Sequence, residues 1–182
     1  APGLVDRSGV LRYGANLPGV VDLALADELA DGLGLPVVVD NDATCSGWAE
    51  HERGAARGCN HSITITLGTG IGSAMFVDGS LVPNLELGHI EVRGKEGEVR
   101  AAASVRERKK LSWEEWAERV NEYLDHVDRL VWPDLIVLGG GVTKNAERFL
   151  HLLEARPPIE IARLENRAGI VGAAMRAAEG RS

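Results

Sequence analysis

The sequence predicts an α/β fold. Short β-branched runs such as "PVVVD" and "DLIVL" alternate with segments of helical apolar period, a glycine cluster joins two strand-like runs near residue 68, and residues 112–131 carry a long, capped helical pattern. With 182 residues, 45 % of them hydrophobic, the chain can bury a sizeable core, and its composition argues against disorder.

Taken in order, the first twenty residues read as a short piece of something that precedes them. "DLALADELADGL" spaces Leu25, Leu29 and Leu33 by four and predicts a helix stopped by Gly34 at C′. Pro36 launches "PVVVD", a run of the kind buried in a parallel sheet. "NDATCSGWAEHERGAARG" predicts a helix starting near Asp42, and "HSITITL" a strand. The glycine cluster follows, and then "SAMFVDG" and "SLV" as a hairpin. Ser112 and Glu115 form a capping box, with Leu111 placed to staple against Trp116. Trp113, Trp116, Val120, Leu124, Val127 and Val131 make one helix face, which Trp132-Pro133 ends. "DLIVL" reads as a buried strand, "GGG" as a tight turn and "TKNAERFLHLLE" as a helix. A short strand and the small-residue helix "AGIVGAAMRAA" close the chain.

Bulk properties narrow the function. A net charge of −7 argues against a general nucleic-acid binder, and no run of 18 or more apolar residues is present to span a membrane. The start lacks both a signal-peptide pattern and an initiator Met, so the expectation is a chain that begins inside a longer protein. Cys45 and Cys59 are too few for a disulfide framework and fit a reduced, cytoplasmic setting.

Five stretches can carry chemistry. "TLGTGIGSAMFVDG", residues 66–79, alternates Gly68, Gly70 and Gly72 with Thr69 and Ile71 between two strands. Unshielded N–H groups there can form a nest for phosphate oxygens, with the Thr66 and Thr69 hydroxyls as further donors. No lysine follows and a strand rather than a helix comes next, so neither the P-loop nor the dinucleotide fingerprint fits; a glycine-rich hairpin without a ligand is the alternative. "VVVDNDAT" sets Asn41 and Asp42 at a strand end and helix start. There a carboxylate stays ionised and can take the proton of an attacking hydroxyl, unless Asp42 is only an N-cap. "NLELGHIEV" groups Glu86, His89 and Glu91, with Glu98 further on, as acceptors and donors for sugar hydroxyls; a solvated turn is the plain alternative. One histidine with scattered carboxylates does not make a zinc site. Arg93, Lys95, Arg100, Arg106, Arg108, Lys109 and Lys110 form a basic island suited to a polyanion or to a solvated helix face. "LIVLGGGVT", with Gly139, Gly140 and Gly141, can bring backbone close to a nucleotide.

Together, "PVVVDNDAT", "TLGTGIGSAMFVDG", "ELGH" and "LIVLGGGVT" resemble the ROK family of sugar kinases in order and approximate spacing. From "TLGTGIGSA" onward, notably "LVPNLELGHIEVRGKEGEVRAAASVRERKKLSWEEWAERVNEYL" and "NRAGIVGAA", the chain looks closest to the family's bacterial polyphosphate glucokinases. The resemblance implies an actin-like ATPase (ribonuclease H-like) fold truncated at its N-terminus. Residues 1–40 would be a remnant of the small lobe and 41–182 the large lobe. It implies transfer of a phosphoryl group from polyphosphate, ATP or both to the 6-hydroxyl of glucose, with Mg²⁺, in a homodimer. Asp42 would be the base. Asn41, Glu86, His89 and Glu98 would hold sugar hydroxyls. Gly68, Thr69, Gly70 and Gly72 would bind phosphate, and Gly139 to Gly141 the adenosine.

Two departures bear on this. "IEVRGKEGEVRAA" has none of the cysteines with which many members bind zinc, so no zinc is expected. The family's first phosphate motif, an Asp-Gly-Gly-Thr-like stretch, is not in these residues. The expectation is either a fragment or a protein that cannot hold its donor in the usual way. A sugar-sensing regulator of the same family and an inactive lobe are the alternatives. Glucose and mannose, and ATP and polyphosphate, stay open.

Overall fold

The structure, a computed structural model, describes residues 1–14 and 17–179. A five-stranded sheet in the order β10-β9-β4-β5-β6 forms its centre. β4 (Ser62–Leu67) pairs in parallel with β9 (Leu135–Gly139), which pairs in parallel with β10 (Ile159–Ile161). On its other edge β4 runs antiparallel to β5 (Ile71–Val77), which turns through Asp78 and Gly79, both at positive φ, into β6 (Ser80–Val82).

Helices cover both faces. β4 alternates strictly: Ile63, Ile65 and Leu67 enter the main core with Trp116, Tyr123, Leu124 and Val127 of helix α5 (Trp113–Val131). Thr64 and Thr66 point the other way, toward α2 (Asp42–Arg53), which packs against α6 (Ala168–Glu179). The capping box forms as expected: the Ser112 hydroxyl accepts from Glu115 N at 3.1 Å, and Glu115 Oε2 accepts from Ser112 N at 2.8 Å. Trp132, in the left-handed region, ends α5. Between β6 and α5 lie a small hairpin, β7 (Glu91–Val92) with β8 (Lys95–Glu96), and two short helices, α3 (Gly97–Ala101) and α4 (Ala103–Lys109).

β1 (Leu4–Val5), β2 (Leu11–Tyr13) and β3 (Val21–Leu23) form their own antiparallel sheet, and three expectations about the segments after it change. Asp6 caps its first turn, accepting from Ser8 N and Val10 N, and its carboxyl is lowered to about 2 by the Ser8 hydroxyl before any other partner. α1 (Leu25–Leu33) does end at Gly34 in the left-handed region, but two of its three spaced leucines, Leu29 and Leu33, are exposed, Leu33 at 62 %. "PVVVD" is not a strand. At its end Ala1 brackets Asp40 to Asp42, its amino group donating to Asp40 O at 2.8 Å and its carbonyl accepting from Asp42 N at 3.0 Å, while Asn41 Nδ2 donates to Gly3 O; among the described residues the pairing does not extend into a ladder along the run. "TKNAERFLHLLE" is two 3₁₀ stretches, Gly141–Arg148 and Leu150–Leu152, rather than an α-helix. Asn145 leaves helical geometry and Phe149 turns out of the helix to bury itself between Trp113 and Trp116; filling that aromatic pocket outweighs helix continuity.

A buried carboxylate fixes the far end of α2. Glu50 accepts from Ala55 N at 2.8 Å, Arg163 N at 3.1 Å and Leu164 N at 2.7 Å, which ties the segment after β10 to the helix. The small residues of α6 allow it to sit on α2, because a Cβ at Gly172 would run into the Cys45 carbonyl. Gly172→Ala therefore destabilises the chain by about 1–3 kcal/mol. Gly32→Ala, in α1 with open space around it, stabilises by about 0.5–1 kcal/mol. Urea midpoints of the two variants should move in opposite directions.

Candidate active site

One cleft of about 240 Å³ is lined by Asn41, Asp42, Gly68, Thr69, Gly70, Gly72, Glu86, His89, Glu98 and Gly140, together with Pro2 and Gly3. The carboxylate at the start of α2 and the glycine loop thus share one opening, along with Asn41, Glu86, His89 and Glu98, which the family resemblance assigns to the sugar. Glu91, grouped with them from the sequence, does not line it; it is exposed on β7.

Asn41, not Asp42, is the N-cap of α2. Its Oδ1 accepts from Thr44 N at 3.0 Å, while Nδ2 donates to Gly3 O at 2.9 Å and lies 3.5 Å from Glu86 Oε1. Asp42 is therefore the first helical residue, exposed at the positive end of the helix, with one oxygen accepting from Ala43 N at 2.9 Å. Capping by its neighbour leaves the second oxygen of Asp42 unengaged within the described residues.

The glycines answer to different neighbours. A Cβ at Gly72 would meet Ala43 Cβ and Thr66 Oγ1, so this residue lets β5 pass beside the first turn of α2. At Gly70 it would strike Glu98 Oε2, and at Gly68 it would meet nothing. The β4–β5 ladder stops at Leu67 opposite Ile71. Gly68 N–H turns inward to Gly70 O at 3.0 Å and Ile71 N–H to Glu98 Oε2 at 3.3 Å, which leaves the N–H groups of Thr69 and Gly70 at the apex, outside the ladder.

The cleft is acidic. Burial, first, and the nearby carboxylates of Asp42 and Glu98 push the Glu86 carboxyl up from its ordinary range, while His89 opposes them. His89 Nδ1 lies 3.4 Å from Glu96 Oε2, and His89, Glu96 and Glu98 bring ligand atoms within 4.8 Å of one another, without a thiolate.

A second cleft, of about 450 Å³, meets the first at Gly68 and Thr69. Its other walls are Ser104, Arg106 and Glu107 of α4, Trp113, and Gly141, Val142, Asn145 and Arg148. The Arg106 guanidinium lies 3.5 Å from the Trp113 ring centre and that of Arg148 at 5.8 Å. Of the three glycines expected at adenosine, Gly141 lines this cleft, whereas Gly139 and Gly140 line a neighbouring one of about 250 Å³ on the Asp42 side. Gly140 stands at φ +92°, and a Cβ there would strike Leu67 O. Trp113 and Arg148 were legible only as a core position and a helix charge, because their meeting depends on how α5 packs against the 3₁₀ segment. The basic island divides: Arg93 and Arg100 are taken up by Glu122, while Lys109 is lowered by the positive charges of Arg119, Lys95, Arg108 and Arg100, with Arg119 the largest cause and some burial adding to it.

An α/β chain of the actin-like ATPase fold, with an exposed carboxylate sharing a cleft with a glycine loop, is the class that these features define. The ROK family model matches residues 1–101, and the chain belongs to that family. It is 42 % identical over 177 residues to the polyphosphate glucokinase of Mycobacterium tuberculosis, covering 96 % of this chain and 66 % of that protein. To the polyphosphate glucokinase of Mycobacterium leprae it is 44 % identical over 179 residues, covering 96 % of this chain and 54 % of that one. The solved inorganic polyphosphate/ATP-glucomannokinase of Arthrobacter sp. superposes with a TM-score of 0.94 at 43 % identity, over 99 % of this chain and 72 % of the other. The chain thus spans just under two thirds, or about half, of the length of the curated relatives it matches.

The raised Glu86 carboxyl has a stability consequence. A carboxyl raised on folding contributes stability below its unfolded value and loses it as pH climbs through the folded one. Glu86→Gln should therefore be more stable than the parent near pH 7 and lose that advantage toward pH 4, as read from urea midpoints at the two pH values.

Proposed function

We propose that the protein transfers a phosphoryl group from inorganic polyphosphate or ATP to the 6-hydroxyl of glucose. The observation that carries this is the single cleft shared by Asp42 and the glycine loop, continuous with a larger cleft flanked by arginines. The sequence likeness to polyphosphate glucokinases and the match to a polyphosphate/ATP-glucomannokinase support the same activity.

In this mechanism the hexose lies in the acidic cleft, with Asn41, Glu86, His89 and Glu98 holding its hydroxyls. Asp42 takes the proton of the 6-hydroxyl as its oxygen attacks the terminal phosphorus, and the bond to the rest of the donor breaks. The N–H groups of Thr69 and Gly70 face the transferring phosphoryl group, and Gly141 borders the remainder of the donor. Arg106 and Arg148 supply positive charge along the second cleft, which suits a chain of phosphates as well as a nucleotide.

Mg²⁺ fits this site: Asp42, Glu86 and Glu98 bring carboxyl oxygens to one cleft, where a hard cation finds oxygen donors. Asp42 and the donor phosphates would hold it, and it would neutralise charge on the phosphates. A homodimer in a cytoplasmic setting belongs to the same proposal; the free thiols of Cys45 and Cys59 agree with a reducing compartment.

The test is formation of glucose 6-phosphate from glucose and Mg²⁺ with either donor. Asp42→Asn should lower kcat by roughly 10²- to 10⁴-fold with little change in glucose KM or in thermal midpoint. Near-parental turnover would refute its role as base, and glucose binding without turnover in the parent would favour a sensor. Arg106→Ala together with Arg148→Ala should raise KM for polyphosphate and flatten its dependence on salt, with glucose KM unchanged.

A further inference from the structure

We propose that Arg176 is a positioning residue for the start of α2: its guanidinium clamps Asp40 and so sets the direction in which Asn41 and Asp42 meet the sugar. This rests on the role of base given to Asp42 above.

The segment that leads into Asp42 is weakly supported elsewhere. Residues 36–40 join no ladder, and Val38 is exposed. Val37, Val38, Val39 and Asp40 line a cavity of about 380 Å³ whose other walls include Asp42 and Arg176. On that side neither strand pairing nor close packing fixes the run. Backbone bonds to Ala1 hold only its last residues.

The Asp40 carboxylate supplies a further anchor. Its Oδ1 accepts from Asn41 N at 2.8 Å, and its Oδ2 accepts from Arg176 Nε at 3.0 Å. It thereby joins the N-cap residue of α2 to α6, 136 positions away in the chain. Both side chains are largely withdrawn from solvent, 19 % exposed for Asp40 and 30 % for Arg176, so screening weakens this pair less than a surface one. The centre of the same guanidinium stands 4.7 Å from the ring centre of Trp48, within α2. Arg176 therefore grips the chain on both sides of the site residues, at Asp40 before them and at Trp48 after them. A guanidinium can do both, because Nε donates in its plane while its face covers the indole. Its other pair, with Glu179 at 3.3 Å, stays within α6 and ties nothing to α2.

α6 is placed to carry this clamp. Gly172, one turn before Arg176, sits against the Cys45 carbonyl, so the same helix face meets the first turn of α2. Glu50 fastens the far end of α2 through three N–H groups. With that end held, a shift at Asp40 passes straight to Asn41, whose Oδ1 caps Thr44 N, and to Asp42 beside it.

Kinetics with both donors, thermal midpoints and amide hydrogen exchange on the parent chain, Arg176→Ala, Arg176→Lys, Asp40→Ala and the double alanine variant test this. Arg176→Ala should lower kcat about tenfold with donor KM unchanged. Its exchange should quicken at the Asn41 and Thr44 amides, while Ala55 and Leu164, bonded to Glu50, keep parental rates. Arg176→Lys, which keeps the charge but not the planar stack, should recover most of the turnover. In the Asp40→Ala background, loss of Arg176 should add little, since the two act through one interaction. Parental kcat in Arg176→Ala, an equal loss in both backgrounds, or exchange that quickens evenly along α2 overturns the proposal. A parent chain that phosphorylates no glucose overturns the base assignment instead, and the exchange pattern then decides the clamp by itself.

Discussion

The site depends on backbones crossing where side chains would forbid it. β4 delivers the chain to the loop at residues 68–72, and four glycines then allow contacts that a Cβ would block. Gly72 lies against Ala43 of α2, Gly70 against the Glu98 carboxylate, Gly88 against Ile71 O and Gly140 against Leu67 O. Each contact joins a different element to the same loop. Without them Asp42, Glu86 and Glu98 would stand on separate surfaces. The glycine richness of "TLGTGIGSAMFVDG" therefore has two causes. Gly70 and Gly72 serve internal packing, while Gly68 opens onto the cleft.

Charge is distributed to match that geometry. The smaller cleft gathers the carboxyls of Asp42, Glu86 and Glu98, with Glu86 raised first by burial and less by its two acidic neighbours, an arrangement that suits hydroxyl groups and a cation but repels an anion. The larger cleft carries Arg106 and Arg148 against Trp113, which suits an anion. The two meet at Gly68 and Thr69, so the boundary between acidic and basic environments lies where a phosphoryl group would change hands. The negative net charge of the whole chain conceals this local separation.

Rigid supports lie behind both clefts. Glu50 ties the end of α2 to the segment after β10 through three backbone N–H groups, and α5 holds α3 through Trp116, Glu122 and the ring of Tyr123. The residues that face the clefts thus stand on elements whose positions are set by buried contacts elsewhere.

Local patterns were legible wherever they decide structure by themselves. The capping box of Ser112 and Glu115, the helix stop at Gly34, the strand at "SITITL" and the hairpin from "SAMFVDG" into "SLV" all involve neighbours within a few residues. The motif order also sufficed to place the chain in its family. The sequence could not show that "PVVVD" lacks a partner strand, that Phe149 leaves its helix for an aromatic pocket, or that Asn41 takes the cap and frees Asp42. Nor could it pair Arg106 and Arg148 with Trp113, or Tyr123 with Gly97. These outcomes turn on distances between segments far apart in the chain, and burial and ladder pairing, which reward only completed contacts, decide them after local preference has had its say.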